Sequence, residues 1–175
     1  MPKATNNGIL RELDCYVNIP NYGKIAFNNL PGIGDSKSAQ YNSESIIGRS
    51  SPLHTYHYSD TRNISLTIHL FIAKESDAYT NLNHLRAIQS AVYTRKGPGG
   101  SPFLPPPICR LKCGNLLSTQ EVCAVLQNYS VRFPDDVAWH RETYCPYRFD
   151  IDTTWWVVYP SPNLPDQSRI MQSGY

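Results

Sequence analysis

The chain has 175 residues and a mass of 19.8 kDa, enough for one domain that buries its own apolar core. Its formal charge of +2 comes with no run of Lys and Arg, too little to argue for nucleic-acid binding, which calls for a concentrated basic patch. Charged residues make up only 17% of the chain, against roughly 25% in soluble domains, so part of the surface is expected to be covered by other chains.

Met1 to Asn7 lack the apolar core of a signal peptide, and no stretch approaches the ~18 apolar residues of a membrane span. Residues 1–42 are rich in Asn, Gly, Ser and Pro and read as an extended arm with two short strands, Leu13–Ile19 and Lys24–Phe27. Pro20 closes the first, because proline donates nothing to a ladder, and Pro31 to Gly34 mark a turn. Such an arm is expected to lie on neighbouring subunits. Residues 43–159 form the main domain, opening on the loop Ser43-Glu44-Ser45-Ile46-Ile47-Gly48-Arg49-Ser50-Ser51-Pro52-Leu53.

From Arg62 to Ala73 the alternation is clean: Ile64, Leu66, Ile68, Leu70 and Ile72 share one face, and Ser65, Thr67, His69 and Phe71 the other, as in a half-buried antiparallel strand. Ala78, Leu82, Leu85, Ile88 and Val92 then recur every three or four residues, predicting an amphipathic helix over Glu75–Tyr93 with Ser76 at its cap. Lys96 to Pro102 break the chain into a loop. A short strand over Ile108–Gly114 puts Cys109, Leu111 and Cys113 on one face. Strict alternation over Glu121–Phe133 groups Cys123, Val125, Gln127, Tyr129 and Val131 together. Over Tyr147–Tyr159 it sets Phe149, Ile151, Trp155 and Val157 against Asp150, Asp152 and Trp156. Residues 160–175 read as an irregular tail draped on a partner. The order of strand, helix and three more strands gives an α+β fold with an antiparallel sheet.

No residue set makes a strong case for catalysis. Cys109 and Cys113 stand at the two ends of one strand, roughly 13 Å apart, too far to share a metal. His140 and Cys145 are near in sequence, but no motif supplies the oxyanion-stabilising turn of a thiol nucleophile. Asp150 and Asp152 share a face at about 6.7 Å, which superficially suits glycoside cleavage, with Trp155 and Trp156 as sugar platforms; two solvated acids and two anchoring indoles explain the same pattern. Neither a metal nor a cofactor is expected. Cys15, Cys109, Cys113, Cys123 and Cys145 read as thiols in a reducing compartment, and as possible disulfide partners after release into an oxidising one.

The order Ile46-Ile47-Gly48-Arg49-Ser50-Ser51-Pro52, Arg62-Asn63-Ile64-Ser65-Leu66, the helix with Leu82, Leu85 and Arg86, then Pro105-Pro106-Pro107 into Ile108–Gly114, resembles baseplate tube proteins of contractile-tailed bacteriophages. That family, the tube initiators and LysM-type baseplate tube proteins, shows an IGR-S-P loop, an RTISF strand, an LR helix and a PP step into a strand ending in LG. The resemblance covers about residues 43–158. It implies a β-sandwich or split barrel of the tail-tube kind, with one helix, assembled as a hexameric ring between the central hub and the tail tube. It also implies a non-enzymatic role in the virion, assembly in the host cytoplasm, tail-tube, hub and baseplate partners, and a lumen through which DNA passes unbound. Under it Arg49, Pro52, Arg62, Trp155 and Trp156 are candidate inter-subunit contacts, and Asp150 and Asp152 candidate lumen residues. The chain departs from the family at Lys112-Cys113-Gly114 and at Asp152-Thr153-Thr154-Trp155-Trp156, and no LysM module is expected after the last strand. The same fold also suits a neck or tail-terminator ring, and the tryptophans a carbohydrate-binding adhesion module.

Overall fold

The computed structural model describes residues 15–27, 29–97, 99, 104–118, 120–159 and 164. The expected start of the first strand at Leu13 and Asp14, most of the Gly97–Phe103 loop and nearly all of the tail lie outside the described residues.

Among the described residues nine strands and one helix follow in chain order: β1 Cys15–Ile19, β2 Gly23–Ala26, β3 Gly32–Ser36, β4 Ala39–Glu44, β5 Leu53–Ser59, β6 Asn63–Phe71, α1 Glu75–Ser90, β7 Cys109–Cys113, β8 Val122–Arg132 and β9 Arg148–Val157. Seven strands form an antiparallel sheet in the order β2-β1-β7-β8-β9-β6-β3, and β4 and β5 form a separate two-stranded ribbon. The fold is α+β, mostly antiparallel sheet with a single helix.

β6 and β9 are registered over nine consecutive pairs, from Asn63 opposite Trp156 to Phe71 opposite Arg148. Their alternation puts Ile64, Leu66, Ile68, Leu70, Phe149, Ile151, Trp155 and Val157 on one buried face. Val17, Ile25, Leu111, Ala124 and Leu126 extend this face across the sheet, and Leu85, Ala87 and Ile88 of α1 cover it. His84 of α1 also hydrogen-bonds Tyr22 Oη in the β1–β2 turn at 2.8 Å, so the helix reaches the far side of the sheet. The expected boundary at 42/43 therefore fails: β1 lies between β2 and β7 with Val17 and Ile25 fully buried, and that boundary would cut β4. β1, β2 and β3 are strands of the sheet, not parts of an arm.

Strict alternation is also wrong in β8. Between Leu126 and Asn128 the register shifts by one residue at Gln127, a β-bulge. Val122, Ala124 and Leu126 face the core before it, and Tyr129 and Val131 face it after. The bulge returns apolar residues to the core that a regular strand would turn into water.

The helix ends at Ser90 rather than Tyr93, with Val92 and Tyr93 held in turns. Its start is capped not by Ser76 but by Asp77, whose Oδ2 accepts the Lys74 amide at 2.9 Å. Two mutual backbone hydrogen bonds between Arg95 and Leu104, at 3.0 and 2.7 Å, pinch the following loop at its base.

Trp155 is 0% exposed and donates its indole N–H to Thr153 Oγ1 at 2.9 Å, whereas Trp156 is 42% exposed. Trp155→Ala is expected to cost about 3–5 kcal/mol in urea denaturation, and Trp156→Ala under about 1 kcal/mol.

Candidate interaction surfaces

The motif Ile46-Ile47-Gly48-Arg49 forms the tip of the β4–β5 hairpin. The Arg49 amide donates to Ile46 O at 3.2 Å, and Gly48 takes φ +86 at the third position, the pattern of a type II turn that favours glycine there. The turn leaves Ile47 103% exposed beside Arg49, with Pro52 exposed on the return limb. Every residue of β4 and β5 is exposed, including Tyr41, Tyr56 and Tyr58. At the hairpin's base Asp60 Oδ2 accepts Ser38 Oγ at 2.5 Å and Gln40 Nε2 at 2.8 Å. Those two hydrogen bonds hold the Asp60 carboxyl below its ordinary pKa.

Arg62, expected at an inter-subunit contact, is committed within the chain. Its Nε donates to Asp35 Oδ1 at 2.9 Å, and its Nη2 to Asp35 Oδ2 and to Leu117 O at 3.1 Å. This ties the edge strand β3 to the segment after β7. Trp155 is excluded as a contact by burial, since consecutive strand residues point to opposite faces. The same geometry removes the paired-tryptophan platform. Arg49, Pro52 and Trp156 remain on the surface, but on different parts of it: Arg49 and Pro52 at the hairpin tip, and Trp156 on the outer sheet face opposite Asn63 and Val125.

Asp150 and Asp152 do share that outer face, and each is already partnered. Asp150 Oδ1 meets His69 Nδ1 at 2.6 Å, and Arg148 binds both its oxygens at 3.1 and 3.0 Å. Asp152 accepts Thr67 Oγ1 at 2.7 Å and Arg132 Nη2 at 2.9 Å. A shallow groove of about 310 Å³ runs over Ser65, Thr67, Asn128, Ser130, Asp152 and Thr154 and leaves Asp150 out. Burial pushes the Asp150 carboxyl up, but the hydrogen bonds from Arg148 and His69 outweigh it and the pKa falls below its ordinary value. A depressed carboxyl pKa stabilises the fold above its unfolded value, about 3.9, and that share is lost as pH falls through the folded value. Asp150→Asn is therefore expected to flatten the decline in urea midpoint below about pH 4.

All five cysteines are thiols, and none is in a disulfide. Cys15 and Cys113 lie directly opposite each other across β1 and β7. Burial pushes the Cys109 pKa up to about 11, and burial together with the Cys15 thiol pushes Cys113 up to about 12. Cys145 donates to Thr143 O at 3.4 Å, while His140 Nδ1 accepts from Thr143, so these two form no nucleophile and base pair. Among the described residues no group of three or more His, Cys, Asp or Glu is placed to hold a metal, and no helix is long and apolar enough to cross a membrane. Only Cys123 is exposed. The folded protein is expected to titrate one thiol rapidly with a disulfide reagent and five once unfolded.

β4 and β5 carry no apolar alternation, the trace that a buried face leaves in a strand, so periodicity does not mark them as strands. The sequence signal that was available is Gly48 between two extended, Tyr-rich segments. The chain matches no protein-family model and no curated protein.

Proposed function

We propose that the chain is a structural ring subunit of a contractile phage tail, a tube initiator or adaptor between the hub and the tail tube. In this reading the seven-stranded sheet is the tail-tube-like split barrel, copies join as a hexamer, and the protein resides in the virion baseplate and catalyses nothing.

The observation that carries the reading is the β4–β5 hairpin, in which every strand residue is exposed. Among the described residues this ribbon has no third strand and packs on no core, and a ribbon of that kind is marginal in water, which supports a partner surface outside the chain. Its Tyr and Arg content matches the composition enriched at protein interfaces. Among the described residues the edge strands β2 and β3 are short and have no outer partner, an aggregation hazard for a lone monomer that closure into a ring satisfies. The hairpin tip holds the Ile46–Pro52 motif on which the family resemblance partly rests. The outer sheet face, with short hydroxyl side chains and carboxylates neutralised by Arg132 and Arg148, suits a lumen through which DNA slides without binding.

Native mass spectrometry and electron images of the purified chain test the reading. Closed rings are expected from the full chain. Replacing residues 43–53 by a two-residue turn is expected to abolish rings while leaving the melting temperature within a few degrees, because the hairpin adds nothing to the core. A chain that stays monomeric at every concentration sinks the proposal, as does a hairpin-shortened variant that assembles normally.

A further inference from the structure

The five cysteines allow many pairings, and the sheet brings one of them together. Cys15 on β1 stands directly opposite Cys113 on β7. The Phe27 amide donates to Cys15 O at 3.1 Å, so the backbone hydrogen-bonding groups of Cys15 point toward β2 and away from β7. The Cys113 carbonyl accepts the Leu116 amide at 3.1 Å, outside the β1–β7 ladder. Cys15 and Cys113 are therefore a non-hydrogen-bonded pair, the kind in which facing Cα atoms of an antiparallel ladder come closest, at about 4.5 Å. A disulfide takes Cα atoms roughly 4.4–6.8 Å apart. Both side chains lie on the buried face, 2% and 1% exposed, and they are hydrogen-bonded to each other.

The other three cysteines are placed apart. Cys109 faces Ala124 on β8, exposed Cys123 stands opposite Arg110, and Cys145 packs with Ile72 and Ala78 at the start of α1.

We propose that Cys15 and Cys113 are a redox pair, oxidised to a disulfide within one chain by a small-molecule disulfide such as oxidised glutathione. One protein thiolate attacks the glutathione disulfide, forming a mixed disulfide and releasing one reduced glutathione. The second thiolate attacks the protein sulfur of that mixed disulfide, forming the Cys15–Cys113 bond and releasing the other. The two electrons and two protons that the protein thiols give up reappear in two glutathione thiols.

Because the bond is made within a chain, it does not depend on the ring reading. It closes a loop of about 100 residues and ties β1, next to the edge of the sheet, to β7 in its interior. Burial governs the rate. With the Cys113 pKa pushed up to about 12 and Cys15 enclosed, thiolate is scarce in the folded chain at neutral pH, and exchange proceeds when the end of β1 opens. Reductants meet the same barrier. A reducing cytosol keeps the pair as thiols, and an oxidising exterior makes it a lasting crosslink.

Refolding the full-length chain from urea in a mixture of oxidised and reduced glutathione removes the access barrier and tests the pairing. Peptide mass mapping is expected to find Cys15 linked to Cys113 at least tenfold more often than any other pair. Thiols counted after unfolding the product are expected to fall from five to three, and its urea midpoint to rise and to return on reduction. Cys15→Ala and Cys113→Ala chains taken through the same refolding are expected to keep the midpoint of their reduced forms. A Cys109→Ala/Cys123→Ala/Cys145→Ala chain, which retains only the pair, is expected to gain stability on oxidation as the unmodified chain does. The proposal is overturned if five thiols persist after refolding, if another pair predominates, or if the crosslinked chain unfolds at lower urea than its thiol form.

Discussion

The nine-pair register between β6 and β9 is the constraint on which the rest of the molecule depends. Side chains along a strand alternate with a period of two, so a one-residue slip of β9 against β6 would send Phe149, Ile151 and Trp155 into water together and bring Asp150 and Asp152 into the core. Burying a large apolar side chain stabilises the fold by about 1.5–3 kcal/mol, and an unpaired buried carboxylate costs more than that. The register is thus specified from both faces. The same parity separates the two tryptophans, making Trp155 a core residue and Trp156 a surface one. It also lines Asp150 and Asp152 up with His69 and Thr67 on β6, and with Arg132 and Ser130 on β8.

Neighbouring elements adapt to this central pair. The bulge at Gln127 restores the parity of β8 where its sequence would otherwise break it, at the expense of a locally irregular ladder. β7 and β1 then carry the apolar face outward to Val17 and Ile25, and Arg62 binds β3 to the segment beyond β7 through Asp35 and Leu117. Apolar burial holds the interior, and charge-assisted hydrogen bonds hold the edge. The hairpin shares in neither, and rests on its ladder and on the Asp60 clamp at its base.

Much of the fold was legible because β6, α1, β7 and β9 each bury one face and leave a periodic trace of it. Where burial is absent or irregular, that trace disappears. β4 and β5 are exposed on both faces and so leave no such trace. β3 is a glycine-containing edge strand. β1 is short and bounded by turn residues, so it resembled an arm although it runs inside the sheet. The candidate site residues divide in the same way. Arg49 and Pro52 lie at an exposed tip, whereas Arg62 has the same side-chain chemistry as Arg49 and is consumed by Asp35, a partner 27 residues away.

Periodicity by itself determined an α+β chain whose antiparallel strands carry one apolar face, a single helix after the longest early strand, and Asp150 and Asp152 side by side. It could do so because the period of a strand or helix is local backbone geometry. Tertiary structure alone decided that β1 sits between β2 and β7, that Trp155 is buried and Arg62 is taken, that β8 changes face midway, and that Cys15 faces Cys113 across β1 and β7. Each of these depends on which distant residue occupies the facing position, and that information is absent from any local window of sequence.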